Sequence, residues 1–227
     1  MRIKVVVPKW SPEQGSVLHT MAEMAKGGEE EVILFLHDDV DVLDEDWEYQ
    51  VEKVVRWSRV GMFGFGGAYG LGTEELYKRP YQLQQLARLE YVSNMKDAEA
   101  HGKRVEKVVE VAVLDGFALG FTREAYERMG GWEDAIKGGM PPFHMYDAWA
   151  ACRMKEMGLK TFMVPVRCHH HGGRTSTSEQ YQEWLRKEGW KDDVKVHQAA
   201  HMVIYDRFRR VLPIKVRRGD GFEIVGG

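Results

Sequence analysis

The pentapeptide His37-Asp38-Asp39-Val40-Asp41 directly follows an apolar run, Val32 to Leu36. Carboxylates this close repel one another unless a cation lies between them, so Asp38, Asp39 and Asp41 suit a hard divalent ion, magnesium or manganese. The same residues also read as a solvated acidic turn leading into the next helix. A second cluster, His169-His170-His171, follows the apolar stretch that ends at Val166. Strand alternation sends His169 and His171 to one side and His170 to the other, so at most two of them easily share a site. Imidazole beside carboxylate suits manganese, and three histidines before Gly172-Gly173 also make a plain surface turn. Asp147 opens a helical run after His144-Met145-Tyr146, either as an N-cap or as a base, and Asp115-Gly116 taken alone is an ordinary turn. Brought into one cleft, these positions would supply a base for a nucleophile and a metal for a leaving group.

Those residues need elements to hold them. Ile3 to Val7 is a continuous apolar run and reads as a buried strand, Gly15 to Lys26 carries helical spacing stopped by Gly27-Gly28, and Glu31 to His37 is a second apolar strand. Together they make one βαβ unit with parallel strands, and open α/β sheets bind ligands beyond the carboxyl ends of such strands, where residues 37–41 fall. A helix is expected over Asp44 to Trp57. Gly61 to Gly72 reads as a strand and a glycine-rich turn, Tyr81 to Met95 has helical spacing, and Val105 to Leu114 and Phe117 to Phe121 read as strands. Thr122 caps a helix over Arg123 to Met129, and residues 130–142 read as a mobile loop between Gly-Gly pairs. A helix over Asp147 to Met157 and a strand over Lys160 to Val166 follow. Ser176 with Glu179 reads as a capping box for a helix through Lys187, residues 194–210 read as helical, and Val211 to Gly227 as a basic tail with little pattern.

The expected fold class is therefore α/β, a mostly parallel central sheet flanked by helices in a single domain. With 227 residues, 44% hydrophobic and 30% charged, the chain has room for one substantial core and is neither disordered nor fibrous in composition. A net charge of −3 gives no global field for nucleic acid or an anionic membrane, so such a contact must be local. Arg207, Arg209, Arg210, Lys215, Arg217 and Arg218 supply one local candidate, either a solvated face or a phosphate contact. Two cysteines make no disulfide framework, and no apolar stretch reaches the ~20 residues of a membrane span. The chain reads as soluble and cytoplasmic.

In order along the chain, three segments resemble the GT-A glycosyltransferases, specifically the inverting family 2-like group, over Ile3 to about Ser178. Val32-Ile-Leu-Phe-Leu-His-Asp-Asp-Val40 is similar to the strand that delivers an Asp-x-Asp metal motif. Val113 to Trp132, with its Asp115-Gly116 turn and a helix closing on Gly-Gly-Trp, resembles the acceptor-side segment. Tyr146 to Thr161, followed by His170-His-Gly-Gly-Arg-Thr-Ser176, resembles the catalytic helix and the late metal histidine.

The resemblance implies a GT-A-like, Rossmann-like domain over residues 1–180, with residues 181–227 as a helical segment and basic tail packed on it. It implies transfer of a hexosyl or pentosyl group from a nucleotide-sugar donor to a hydroxyl acceptor with inversion. The acceptor would be a glycan or a lipid-linked sugar, and the basic tail also permits a hydroxymethylated DNA base. Asp147 falls at the catalytic base. Asp39 and His170 fall at the metal, with Asp41 and His171 as further candidates, and the ion would be Mn2+ or Mg2+. His37 stands where the family has its first carboxylate, which leaves the ribose contact to His37 or Asp38; Pro8 and Arg174 join them on the donor side. Asp115, Gly116, Tyr146 and Trp132 fall on the acceptor side. One departure is large: a single helix links the first strand to the metal strand, so the part of the fold that reads the nucleotide base is abbreviated. Two other readings keep the fold: nucleotidyl transfer or phosphate-ester hydrolysis with the same ion, and a nucleotide-sugar-binding module without turnover.

Overall fold

Strand β1 (Ile3–Val6), helix α1 (Val17–Ala25) and strand β2 (Val32–Leu36) form the expected βαβ unit, with Ile3 opposite Val32 in a parallel ladder. The structure is a computed structural model that describes residues 1–11, 13, 15–96, 102–172, 178–219 and 221. After β2 the chain continues through β3 (Val40–Val42), α2 (Trp47–Val55), β4 (Val60–Gly64), β5 (Gly66–Leu71), a 3-10 turn at Leu83–Leu86 and β6 (Arg88–Ser93). Then come β7 (Val109–Glu110), β8 (Val113–Leu114), β9 (Ala118–Thr122), α3 (Arg123–Arg128), α4 (Gly131–Lys137) and α5 (Tyr146–Glu156). The last elements are β10 (Lys160–Met163), β11 (Cys168–His170), α6 (Glu179–Lys187), α7 (Asp193–Phe208) and β12 (Ile214–Lys215).

The central sheet has the order β1-β2-β9-β4-β10-β7. Strands β1, β2, β4 and β10 run in one direction, while β9 and β7 run against them. With helices packed along it, this is the α/β architecture the apolar runs call for. Buried Leu18, Ile33, Phe35, Met62, Leu119, Phe121 and Trp149 belong to its main core. Helix α5 is buried over nearly its whole length because it also carries α7 on its outer side, where Trp149 meets Phe208 edge to face at 4.8 Å. Among the described residues no helix is long and apolar enough to cross a membrane.

Several local expectations give way to tertiary pairing. Strand β1 is an edge strand with Val5 exposed, not a strand buried on both faces. The glycines of 61–72 do not make a turn. Gly61 and Gly64 lie in β4 and Gly66, Gly67 and Gly70 in β5, while Gly72 (φ 91) follows it; a Cβ on Gly66 or Gly67 would press on the Tyr91 hydroxyl or the Val113 carbonyl at 2.7 and 2.6 Å, so close strand packing explains these two. Residues 81–95 are not one helix. Arg88–Ser93 pairs antiparallel with β5, and cross-strand bonds outweigh the helical spacing. Residues 130–142 are not an open loop, because Gly130 (φ 86) and Gly139 (φ 85) follow α3 and α4 while buried Trp132 anchors α4. The cap of α6 is Ser178, whose hydroxyl accepts from the Tyr181 amide; Ser176 lies outside the described residues.

The tail has structure as well. β12 pairs with β5, and Leu212 and Ile214 join Ala200, Ile204 and Phe208 in the main core. Two of its cations are paired, Lys215 with Glu74 at 2.7 Å and Arg218 with Glu90 at 2.6 Å.

Thr122 caps α3 as expected, its hydroxyl accepting from the Ala125 amide at 3.2 Å. Thr122→Ala is expected to cost about 1 kcal/mol, measured as a lower denaturant midpoint at unchanged slope.

Candidate active site

The carboxyl end of β2 leads into His37-Asp38-Asp39, and the hairpin-like pairing of β3 with β11 brings the late histidines beside it. His169 lies opposite Asp41 and His170 opposite Val40, and the His171 amide donates to the Asp39 carbonyl at 2.9 Å. Alternation then decides which histidine meets which acid. His170 Nε2 lies 3.2 Å from Asp39 Oδ1, and His37 Nδ1 lies 4.0 Å from that same oxygen. The imidazoles of His37 and His170 are 5.4 Å apart, and the His170 ring stacks on Phe117 at 5.2 Å. The other ring nitrogen of His37 is 2.8 Å from the Tyr146 hydroxyl, which in turn reaches the Gly116 carbonyl at 3.5 Å.

The donor set has the chemistry of a metal site. Two imidazole nitrogens and one carboxylate oxygen lie within 4.8 Å of one another. Donors on an ion with bonds of about 2.1 Å sit roughly 3 Å apart, and the 3.2 and 4.0 Å separations need only a small closure. The Tyr146 hydroxyl fixes the far nitrogen of His37, the kind of outer partner that orients a metal-bound imidazole. Burial and the neighbouring His170 push the His37 imidazole below its ordinary value, which keeps it a neutral ligand at neutral pH. His37, Asp39 and His170 therefore fit a divalent ion.

These three residues line a cavity of about 520 Å³. Pro8 and Asp38, which follow β1 and β2, line it as well, as do Asp115, Gly116, Tyr146 and Asp147. Asp147 is buried in the first turn of α5, where one carboxylate oxygen accepts from the Ala148 amide at 2.7 Å and the other pairs with Arg88. Arg88 also reaches Asp115 Oδ2 at 2.9 Å, and that oxygen accepts from the Tyr91 hydroxyl at 2.9 Å. Burial alone would raise the Asp115 carboxyl. The Arg88 guanidinium, the Tyr91 hydroxyl and the Phe117 amide outweigh it and hold the group below the usual carboxylate range.

The structure divides the candidate residues. Pro8, His37, Asp38, Asp39, Asp115, Gly116, Tyr146, Asp147 and His170 share the cavity. Asp41 and His171 do not line it: they form a separate exposed group with His169, with His171 Nε2 2.9 Å from Asp41 Oδ2, because β3 and β11 turn alternate side chains to opposite faces. Trp132 is fully buried behind the site, edge to face with Tyr146 at 5.8 Å, and supports the wall without lining it. Arg174 lies outside the described residues. Sequence reading missed Arg88, whose pairing with two acids appears only once β6 is a strand. The alternation Arg88-Leu89-Glu90-Tyr91-Val92 was the available signal. It also missed Trp10, Tyr181 and His197, which line the cavity from elements distant in sequence.

No family model and no curated protein matches the chain. Among solved structures, a crystal structure of GalNAc-T7 with UDP, GalNAc and Mn2+ is similar at a TM-score of 0.47 and 14% identity, over 76% of this chain and 35% of that one. The chain thus spans about a third of the length of that protein.

Proposed function

We propose that the protein is a metal-dependent, inverting GT-A-like glycosyltransferase that moves a sugar from a nucleotide-sugar donor to a hydroxyl acceptor. The observation that carries this reading is the convergence of the His37, Asp39 and His170 triad and the Asp147 carboxylate on one cavity, in the order the three sequence motifs require. A divalent ion held by the triad would offset the charge on the leaving nucleoside diphosphate. Pro8 and Asp38 border the donor's share of the cavity, and Asp115, Gly116 and Tyr146 the acceptor's. Asp147, held in orientation by the Ala148 amide and Arg88, takes the proton of the acceptor hydroxyl as that oxygen attacks the anomeric carbon. One displacement inverts the configuration. In this reading residues 181–227 belong to the same unit as residues 1–180, in keeping with the pairing of β12 with β5. The buried thiols Cys152 and Cys168 suit a reducing compartment such as the cytoplasm.

The test is to incubate the full chain with nucleotide sugars, Mn2+ and a panel of hydroxyl acceptors. Release of nucleoside diphosphate with glycosylated acceptor supports the reading, whereas release of pyrophosphate or monophosphate replaces it with nucleotidyl transfer or hydrolysis. Asp39→Asn should raise the Mn2+ concentration for half-stimulation by at least about tenfold, since even outer partners of metal ligands are worth that much. An unchanged metal dependence would remove Asp39 from the site.

A further inference from the structure

Another set of metal-type donors, two of whose members line the same cavity, lies outside the chemistry above. His144 precedes α5, and Asp193 and His197 stand one turn apart in α7, four residues being the spacing that puts two side chains on one helix face. His144 Nε2 lies 2.6 Å from Asp193 Oδ1, and His197 Nδ1 lies 3.7 Å from the other oxygen, Oδ2. The second distance is too long for a hydrogen bond and within the spread of two donors around one ion. The two imidazoles stack at 3.7 Å with an interplanar angle of 20°, so both present nitrogen to the same carboxylate.

The surroundings fix this arrangement. Tyr181 donates from its hydroxyl to Asp193 Oδ1 at 2.6 Å, and its ring packs against Phe143 and Trp184, which also enclose Trp10. Such an outer partner sets the orientation of a ligating carboxylate. His144 and Met145 both hold left-handed backbone, φ 67 and 55, which non-glycine residues adopt at a cost. Both histidines line the cavity, so an ion on this set would face the cavity contents.

We propose that His144, Asp193 and His197 form a second divalent-metal site, a two-histidine, one-carboxylate set whose remaining coordination positions open into the cavity. Its donors suit a first-row transition ion better than magnesium, because imidazole nitrogen supplies two of the three ligands.

The experiment is equilibrium dialysis of the full chain against Zn2+ alone, with the bound metal counted. A His170→Ala/His171→Ala double variant leaves each of the other two His/Asp groups among the described residues with a single imidazole. It should retain one Zn2+ per chain, and X-ray absorption at the zinc edge should report two imidazole ligands. Adding His197→Gln, a substitution at a partly exposed side chain, should weaken that Zn2+ by at least about tenfold, as loss of even an outer partner does. Absence of tight Zn2+ in the double variant, or coordination by oxygen alone, would overturn the proposal whether or not the triple variant folds. So would a folded triple variant that binds Zn2+ as tightly as its parent. Because metal counting needs no sugar transfer, a failed transferase assay leaves this result standing, and the reverse also holds.

Discussion

Asp147→Asn is expected to lower sugar transfer by about 10²–10⁴-fold, the usual loss when a positioned base can no longer take its proton. The amide is nearly isosteric, and its oxygen can still accept from either the Ala148 amide or Arg88, so the fold is expected to hold. What it lacks is the ability to accept a proton from an attacking hydroxyl. Initial rates at saturating donor and acceptor, with thermal unfolding run in parallel, measure the effect. Transfer at the original rate in a folded Asp147→Asn protein would take the base role away from this residue.

Arg88→Met is expected to have the largest effect on stability. Arg88 bridges Asp115 and Asp147, whose side chains are 25% and 4% exposed, and its removal leaves two adjacent carboxylates without their cation. Breaking a buried pair from one side typically costs 3–5 kcal/mol. Arg88 keeps 36% of its own side chain in solvent, so about 2–4 kcal/mol is the expectation here.

The pH dependence distinguishes this cause from lost packing. In the parent the Asp115 carboxyl is held below its unfolded value, so its contribution is present above the unfolded value, near 4, and is lost as pH falls through the lower folded value. Without Arg88, the largest influence holding it down is gone, and the carboxyl is expected to move up from its value in the parent. The variant then carries its full penalty above that raised value and sheds it as the group protonates on acidification. The stability gap between parent and variant should therefore narrow as pH falls from neutral towards 4, read from denaturant midpoints at several pH values. A gap independent of pH would assign the loss to packing alone.

How much of this was legible in the chain differs from element to element. The β1-α1-β2 unit, the α3 cap at Thr122 and α5 were legible because they rest on local rules: continuous apolar runs, a hydroxyl before a helix and helical spacing. The split of the three histidines was legible for the same reason, since alternation along a strand is fixed whatever the strand pairs with. Residues 81–95 misled because their spacing is helical while their partner, β5, is remote in sequence. The same is true of the glycine run, whose purpose shows only when Val113 and Tyr91 come to rest against it. Arg88 was hidden by the wrong period, and His197 by the fifty-three positions that separate it from His144.

By itself the sequence determined an α/β chain with carboxylates and imidazoles at the ends of its strands, because hydrophobic period and side-chain alternation are properties of neighbours along the backbone. Only the tertiary structure decided which of those groups meet. His170 rather than His171 joins Asp39, Asp41 turns outward, Arg88 ties Asp115 to Asp147, and His144 finds Asp193 and His197. The physical reason is that ion pairing and ligation depend on distances of a few ångströms between residues far apart in the chain. Those distances are set by strand register and by how helices pack on the sheet.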